Sequence, residues 1–194
     1  MGFELPKAKN LEKRLFGITN EKEFEQIALE VFRFQYLTNG LYQSFCDALG
    51  RKADAVQRLT DIPFLPIQFF KSQEVKSGDF KPAIGFSSSG TTGSQTSRHY
   101  VKELPLYEKS FLTCFEKFYG QVDRHCVLGL LPSYLERQGS SLIYMVDELI
   151  SQSRHPQSGF YLYDHEKLAA TLASLEKSGQ RTILFGVSYA LLDF

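Results

Sequence analysis

Apolar residues early in the chain recur with the period of a helix. Phe24, Ile27, Ala28, Val31 and Phe32 fall at i, i+3, i+4, i+7 and i+8, the spacing that lines one helical face. Asn20 stands where an N-cap belongs, and Glu23 three residues later completes a capping box. Tyr42, Phe45, Cys46 and Leu49 mark a second helical face between Gly40 and Gly50, two residues that punctuate helices. From Ile62 to Phe70 the pattern breaks. Pro63 and Pro66 rule out a regular helix, and the stretch predicts an extended connector packed by its aromatic residues.

Beyond about Pro82 short apolar runs alternate with amphipathic segments. Ala83–Phe86, His99–Lys102, Cys126–Leu131, Phe160–Tyr163 and Thr182–Val187 read as strands. Between them lie helical stripes: Tyr107, Phe111, Cys114, Phe115 and Phe118; Leu142, Met145, Val146, Leu149 and Ile150; and Leu168, Leu172 and Leu175 behind an Asp164 cap. Strands separated by helices predict crossover units, hence a largely parallel sheet flanked by helices. The expected class is α/β, with a helical N-terminal region and connector over residues 1–80 and an α/β region over 81–194. Ser188–Phe194 reads as the opening turns of another amphipathic helix, so the sequence is expected to be the N-terminal part of a longer protein. No internal repeat is visible.

Composition narrows the function classes. The chain has 194 residues, 43% of them hydrophobic, enough for a packed core. Lys+Arg 22 against Asp+Glu 22 leaves no net field to favour nucleic acid or an anionic membrane. No apolar run approaches the roughly 18 residues of a membrane span, and the start MGFELPKAKN lacks a signal-peptide pattern. Cys46, Cys114 and Cys126 lie in apolar surroundings without zinc-type spacing. They read as reduced core residues of a cytoplasmic protein.

The chemistry concentrates in one loop. After Ile84-Gly85-Phe86 come Ser87-Ser88-Ser89-Gly90-Thr91-Thr92-Gly93-Ser94, a run of small residues following a strand. It is not a Walker-A loop, because Thr91 stands where the phosphate-bridging Lys belongs, and Gly90-Thr91-Thr92-Gly93 is only part of a dinucleotide fingerprint. Such a loop brings backbone N–H groups and hydroxyls to an anion without obstruction, and polyphosphate is its natural ligand. A flexible linker of the same composition is the competing reading.

Ser88-Ser89-Gly90-Thr91-Thr92-Gly93 closely resembles the phosphate loop of the adenylate-forming superfamily, which includes acyl-CoA synthetases and nonribosomal peptide adenylation domains. The Pro and Lys that usually complete that loop are replaced by Gln95 and Thr96, and the nearest cations are Arg98 and His99. In this departure, and in the pair Ser97-Arg98, the chain is similar to the phenylacetate-CoA ligase branch and to the acyl-protein synthetases of bacterial bioluminescence. Ile62-Pro63-Phe64-Leu65-Pro66 through Phe70-Lys71 resembles the Pro-Phe connector of that branch. Leu130-Leu131-Pro132-Ser133-Tyr134 with Gly139 resembles its carboxylate-pocket segment, and Ser188-Tyr189-Ala190-Leu191 resembles a Pro-Ser-Tyr-Ala-Leu stretch of the ligases.

The resemblance implies an enzyme that activates a carboxylate, a fatty acid in the synthetases, through an acyl-adenylate and transfers the acyl group to a thiol. It implies ATP and Mg²⁺ as cofactors, with Ser88, Ser89, Gly90, Thr91, Thr92, Gly93, Arg98 and His99 at the phosphates. Tyr134, Arg137, Gly139, Ser188 and Tyr189 are implied to line the substrate pocket. The acceptor is coenzyme A or a protein cysteine, with an acyl-reductase or acyltransferase as candidate partner. Neither a nucleic acid nor a membrane partner is implied. The alternative is a non-catalytic α/β module that binds a nucleotide or a partner protein.

Other chemistries find less support. Gly186-Val187-Ser188-Tyr189-Ala190 misses the hydrolase elbow by Ala190, and only Asp193 follows to serve a triad. His99, His125, His155 and His165 lack metal-ligand spacing, and all but His99 read as surface or capping residues. Arg137 could grip a carboxylate or phosphate bidentately, though a lone Arg there also fits a surface cation.

Overall fold

The computed structural model describes residues 8–88, 96–132 and 137–194 of the chain. By their internal contacts these fall into two units, Met1–Leu106 and Tyr107–Phe194. The first unit begins with helices α1 (Ala8–Leu15), α2 (Glu21–Thr38) and α3 (Gly40–Ala48). Asn20 caps α2, its side chain accepting from Glu23 N at 3.0 Å. The Glu23 carboxylate reaches one residue further than a capping box, to the N–H (2.9 Å) and hydroxyl (3.0 Å) of Thr19. Asn39 caps α3 through Tyr42 N. That cap is buried between two helices and is invisible to a reading centred on Gly40.

Phe32, Tyr36, Tyr42, Cys46, Ala53 and Val56 form the core of this unit, with Ile62 and Leu65 packed against it. Each tyrosine finds a partner for its hydroxyl, as buried phenols require: Tyr36 donates to Asp47 and Tyr42 to the Pro63 carbonyl, both at 2.6 Å. The second bond pins the connector to α3. The connector differs from expectation in two ways. Phe64 is 84% exposed, so it does not pack, and the extended stretch ends at Pro66, after which the chain turns into the short helix α4 (Phe69–Ser72). Strands β1 (Ile84–Ser87) and β2 (Arg98–Val101) then pair antiparallel, with Ile84 opposite Val101 and Ser87 opposite Arg98. They are a separate hairpin and no part of a parallel sheet, and by contacts they belong with the helices before them.

The second unit holds α5 (Leu104–Tyr119, entering from the boundary), β3 (Cys126–Leu130), α6 (Ser141–Ser153), β4 (Gly159–Phe160), α7 (His165–Lys177), β5 (Thr182–Gly186) and α8 (Ser188–Asp193). Its strands form a parallel sheet in the order β4-β3-β5. All five residues of β3 are buried. Because side chains alternate across a strand, the two faces sort cleanly. Cys126, Leu128, Leu130 and Leu184 pack with Leu168, Leu172 and Leu175 of α7 and Ala190 of α8. Val127, Ile183 and Phe185 pack with Phe111, Leu112 and Phe115 of α5 and Met145 and Leu149 of α6.

This opposition follows from handedness. The step from β3 to β4 and the return from β4 to β5 run in opposite directions, and right-handed crossovers then place α6 and α7 on opposite faces. The expected strand at Phe160–Tyr163 shrinks to Gly159–Phe160, because the chain turns at Leu162 and Tyr163 to reach the Asp164 cap. Several single residues differ from expectation: Phe24, Leu49 and Phe118, read as parts of apolar helical faces, are exposed. Cys114 is exposed on α5 while Cys46 and Cys126 are buried. His125 is buried rather than superficial, its Nδ1 3.0 Å from the Gln121 carbonyl and its ring edge-on to Phe115.

Two glycines mark close approaches. A Cβ on Gly129 would stand 2.8 Å from Phe160 Cδ1 and 3.4 Å from Val146 Cγ1, inside the sheet; one on Gly186 would stand 2.7 Å from Leu191 Cγ. Leu191 is 43% exposed and has room to move, whereas Phe160 is held in the β4 ladder. Gly129→Ala is therefore expected to cost about 1–3 kcal/mol of stability and Gly186→Ala distinctly less, as read by chemical denaturation of both variants.

Candidate functional site

Strand β1 delivers Ser88 to the mouth of the Ser/Gly/Thr loop, and the chain returns at Ser97. These two residues close the base of the loop: Ser88 N donates to the Ser97 carbonyl at 3.1 Å, and Ser97 N donates to Ser88 Oγ at 3.0 Å. The Ser88 hydroxyl is thereby used by the backbone of the closing strand. Ser89, Gly90, Thr91, Thr92 and Gly93, which carry most of the expected phosphate contacts, lie outside the described residues.

The residues after the loop line a cleft of about 300 Å³. Thr96, Arg98 and Tyr100 come from one wall, spaced by two as residues on one face of an extended strand must be. Phe70, Lys71, Ser72, Gln73 and Glu74 from α4 and the turn after it form the other. Among the described residues neither Lys71 nor Arg98 has a carboxylate partner, whereas Glu74 is ion-paired with Lys76. His99, on the alternate face of β2, stacks on Phe70 with ring centroids 6.3 Å apart and planes 11° from parallel. Of the two expected loop cations, Arg98 therefore lines the cleft and His99 braces its wall. Lys71, Thr96 and Tyr100 are lining residues that motif reading missed. The two-residue spacing from Thr96 through Arg98 to Tyr100 is the signal that reveals two of them.

Of the other expected residues, Arg137 and Gly139 lie between β3 and α6, and Ser188 and Tyr189 at the start of α8 after β5. Leu130 pairs with Gly186 at the carboxyl ends of β3 and β5, so the segments after these strands leave the sheet side by side. Helix α6, which follows β3, packs on one face of the sheet, and α8, which follows β5, on the other. Tyr134 lies outside the described residues. Gly139 has φ 81°, a left-handed conformation that places Ser140 to cap α6 through Ile143 N. Arg137 is exposed and has no ion pair among the described residues, and Tyr189 is 82% exposed. Ser188 opens α8 without a His or acid partner at hydrogen-bond distance among the described residues, which fits a strand-to-helix turn better than a nucleophile elbow.

Among the described residues no group of three or more His, Cys, Asp or Glu could hold a metal ion, and no helix is long and apolar enough to cross a membrane. The chain's donors suit phosphate: a guanidinium, an ammonium and hydroxyls around one cleft. Mg²⁺ is ordinarily held through one or two carboxylates plus the phosphates themselves, and a triphosphate would bring most of that shell with it. Comparison with family models, curated proteins and solved structures finds no match in any of the three.

The thiols differ sharply in environment. Burial pushes both Cys46 and Cys126 above the ordinary thiol range, while Cys114 is open to solvent. Since the thiolate is the reactive form, a thiol reagent at pH 8 should modify Cys114 quickly in the native protein, and Cys46 and Cys126 only after denaturation. Rapid modification of all three would contradict the described packing.

Proposed function

We propose that this chain takes part in ATP-dependent activation of a carboxylic acid, with the Ser88–Gly93 loop holding the polyphosphate. One observation carries the reading: the sequence Ser88-Ser89-Gly90-Thr91-Thr92-Gly93 comes directly after a strand. The bonds between Ser88 and Ser97 continue the β1–β2 pairing by one step to the mouth of the loop. The cations Lys71 and Arg98 beside that mouth are what a leaving polyphosphate requires.

The proposed step balances without an external oxidant or reductant. A carboxylate oxygen attacks the α-phosphorus of ATP, the bond from that phosphorus to the bridging oxygen breaks, and pyrophosphate leaves with the electron pair. Mg²⁺ enters with ATP as part of the substrate and spreads the charge of the leaving group. Loop N–H groups and Arg98 would stabilise charge that grows on the pyrophosphate. Tyr134, Arg137, Gly139, Ser188 and Tyr189 are proposed to line the pocket for the carboxylic acid on the strength of the sequence resemblance alone. A fatty acid and acyl transfer to a thiol, of coenzyme A or of a protein, complete the reading. Burial of Cys46 and Cys126 argues against either as the acceptor.

The full-length protein, incubated with ATP, Mg²⁺, hydroxylamine and a panel of fatty and aromatic acids, should form a hydroxamate. Gly90→Ala or Thr91→Val should lower the rate by about tenfold or more, the scale of losing one oriented donor to developing charge. Binding of Mg-ATP without hydroxamate from any acid would replace this reading with that of a nucleotide-binding module.

A further inference from the structure

Lys71 sits where no loop motif would place a phosphate ligand. Pro66 ends the extended connector, its carbonyl accepts from Phe69 N, and the next two turn bonds, Phe70 N to Ile67 O and Lys71 N to Gln68 O, wind α4. Aromatic contacts then fix this short helix from both sides. Phe69 packs edge-on against Phe45 of α3 at 6.1 Å, and Phe70 stacks on His99 of β2. With its two preceding aromatic residues held, Lys71 lines the same cleft as Arg98.

The charge balance of the cleft favours an anion. Its lining carries Lys71, Arg98 and Glu74, and the ion pair of Glu74 with Lys76 cancels the one negative charge. The hydroxyls of Ser72, Thr96 and Tyr100 add neutral donors around two uncompensated cations. A planar guanidinium facing a point-like ammonium suits a ligand with several anionic oxygens on more than one centre, since each cation can take a different group.

We propose that Lys71 is the second cation of the polyphosphate site. It acts from α4 across the cleft from Arg98, and takes the part for which the loop itself supplies only Gln95 and Thr96. The cleft as a pyrophosphate site stands on its lining alone; that the pyrophosphate belongs to ATP rests on the function proposed above. Lys71 is then a positioning residue for the leaving group, outside the loop and delivered by the proline-ended connector.

Titration of the full chain with inorganic pyrophosphate by calorimetry, at low and at raised salt, tests this directly. Binding should weaken with salt. Lys71→Gln and Arg98→Gln should each raise Kd about tenfold, the scale of one charge-assisted hydrogen bond; Lys71→Arg should recover most of the affinity, and Lys177→Gln on α7 should change nothing. Circular dichroism of each variant guards against unfolding. Wild-type protein that fails to bind pyrophosphate at millimolar concentration, or Lys71→Gln protein that binds as wild type does, overturns the proposal. The hydroxamate assay separates the two readings. Hydroxamate formed by Lys71→Gln with an unchanged KM for ATP removes Lys71 from the site and leaves adenylation standing. Lysine-dependent pyrophosphate binding without any hydroxamate keeps the cleft and removes the adenylation.

Discussion

A strand with no face left to water governs the second unit. Every residue of β3 from Cys126 to Leu130 is buried, so helices must cover both sides of the sheet it centres. Burying an aliphatic side chain contributes about 1.5–3 kcal/mol, and Leu128, Leu130, Val127, Leu149 and Leu168 are all less than 2% exposed. The chain meets the demand by stepping from β3 out to β4 and back past it to β5, with α6 and α7 on opposite faces. The same geometry sends α6, which follows β3, and α8, which follows β5, to opposite faces of the sheet.

In the first unit the corresponding constraint is the connector. Prolines at 63 and 66 keep it out of a helix, and the bond from Tyr42 to the Pro63 carbonyl ties it to the core built on Phe32 and Tyr36. The chain beyond Pro66 is consequently fixed in place: α4, its aromatic pair, and the cleft wall that bears Lys71. Two interactions of ordinary strength, a buried phenol bond and an aromatic stack, hold a charged residue where local sequence pattern gives no reason to expect one.

Long periodic elements were legible in the sequence because each buries a stripe that repeats many times. The faces at Ile27–Phe32, Val146–Leu149 and Leu168–Leu175 and the run at Cys126–Leu130 all appear where the periodicity puts them. Short elements were not, because their form depends on partners distant in sequence. The pairing of β1 with β2 is antiparallel and separate from the larger sheet, and β4 lasts two residues because Asp164 must begin a helix. Exposure of Cys114 and burial of His125 likewise depend on what packs across from them, which neighbours in sequence do not reveal. Of the cleft, Arg98 was named from the sequence beside the loop. Lys71 and the bracing role of His99 were not, since both arise from the docking of α4 on β2.

The proposed chemistry asks one thing of this architecture: that a polyphosphate be held while a carboxylate displaces it from the α-phosphorus. Small residues between two paired strands leave room for backbone donors, and cations on the cleft walls supply charge that the loop lacks. Carboxylate-dependent exchange of labelled pyrophosphate into ATP measures that reversal of bond-making without reference to the thiol acceptor. The account predicts that label enters ATP when a fatty acid or another accepted acid is present, and that Thr91→Val suppresses the exchange. Exchange that is absent across acids of all chain lengths, with ATP and Mg²⁺ saturating, would contradict it.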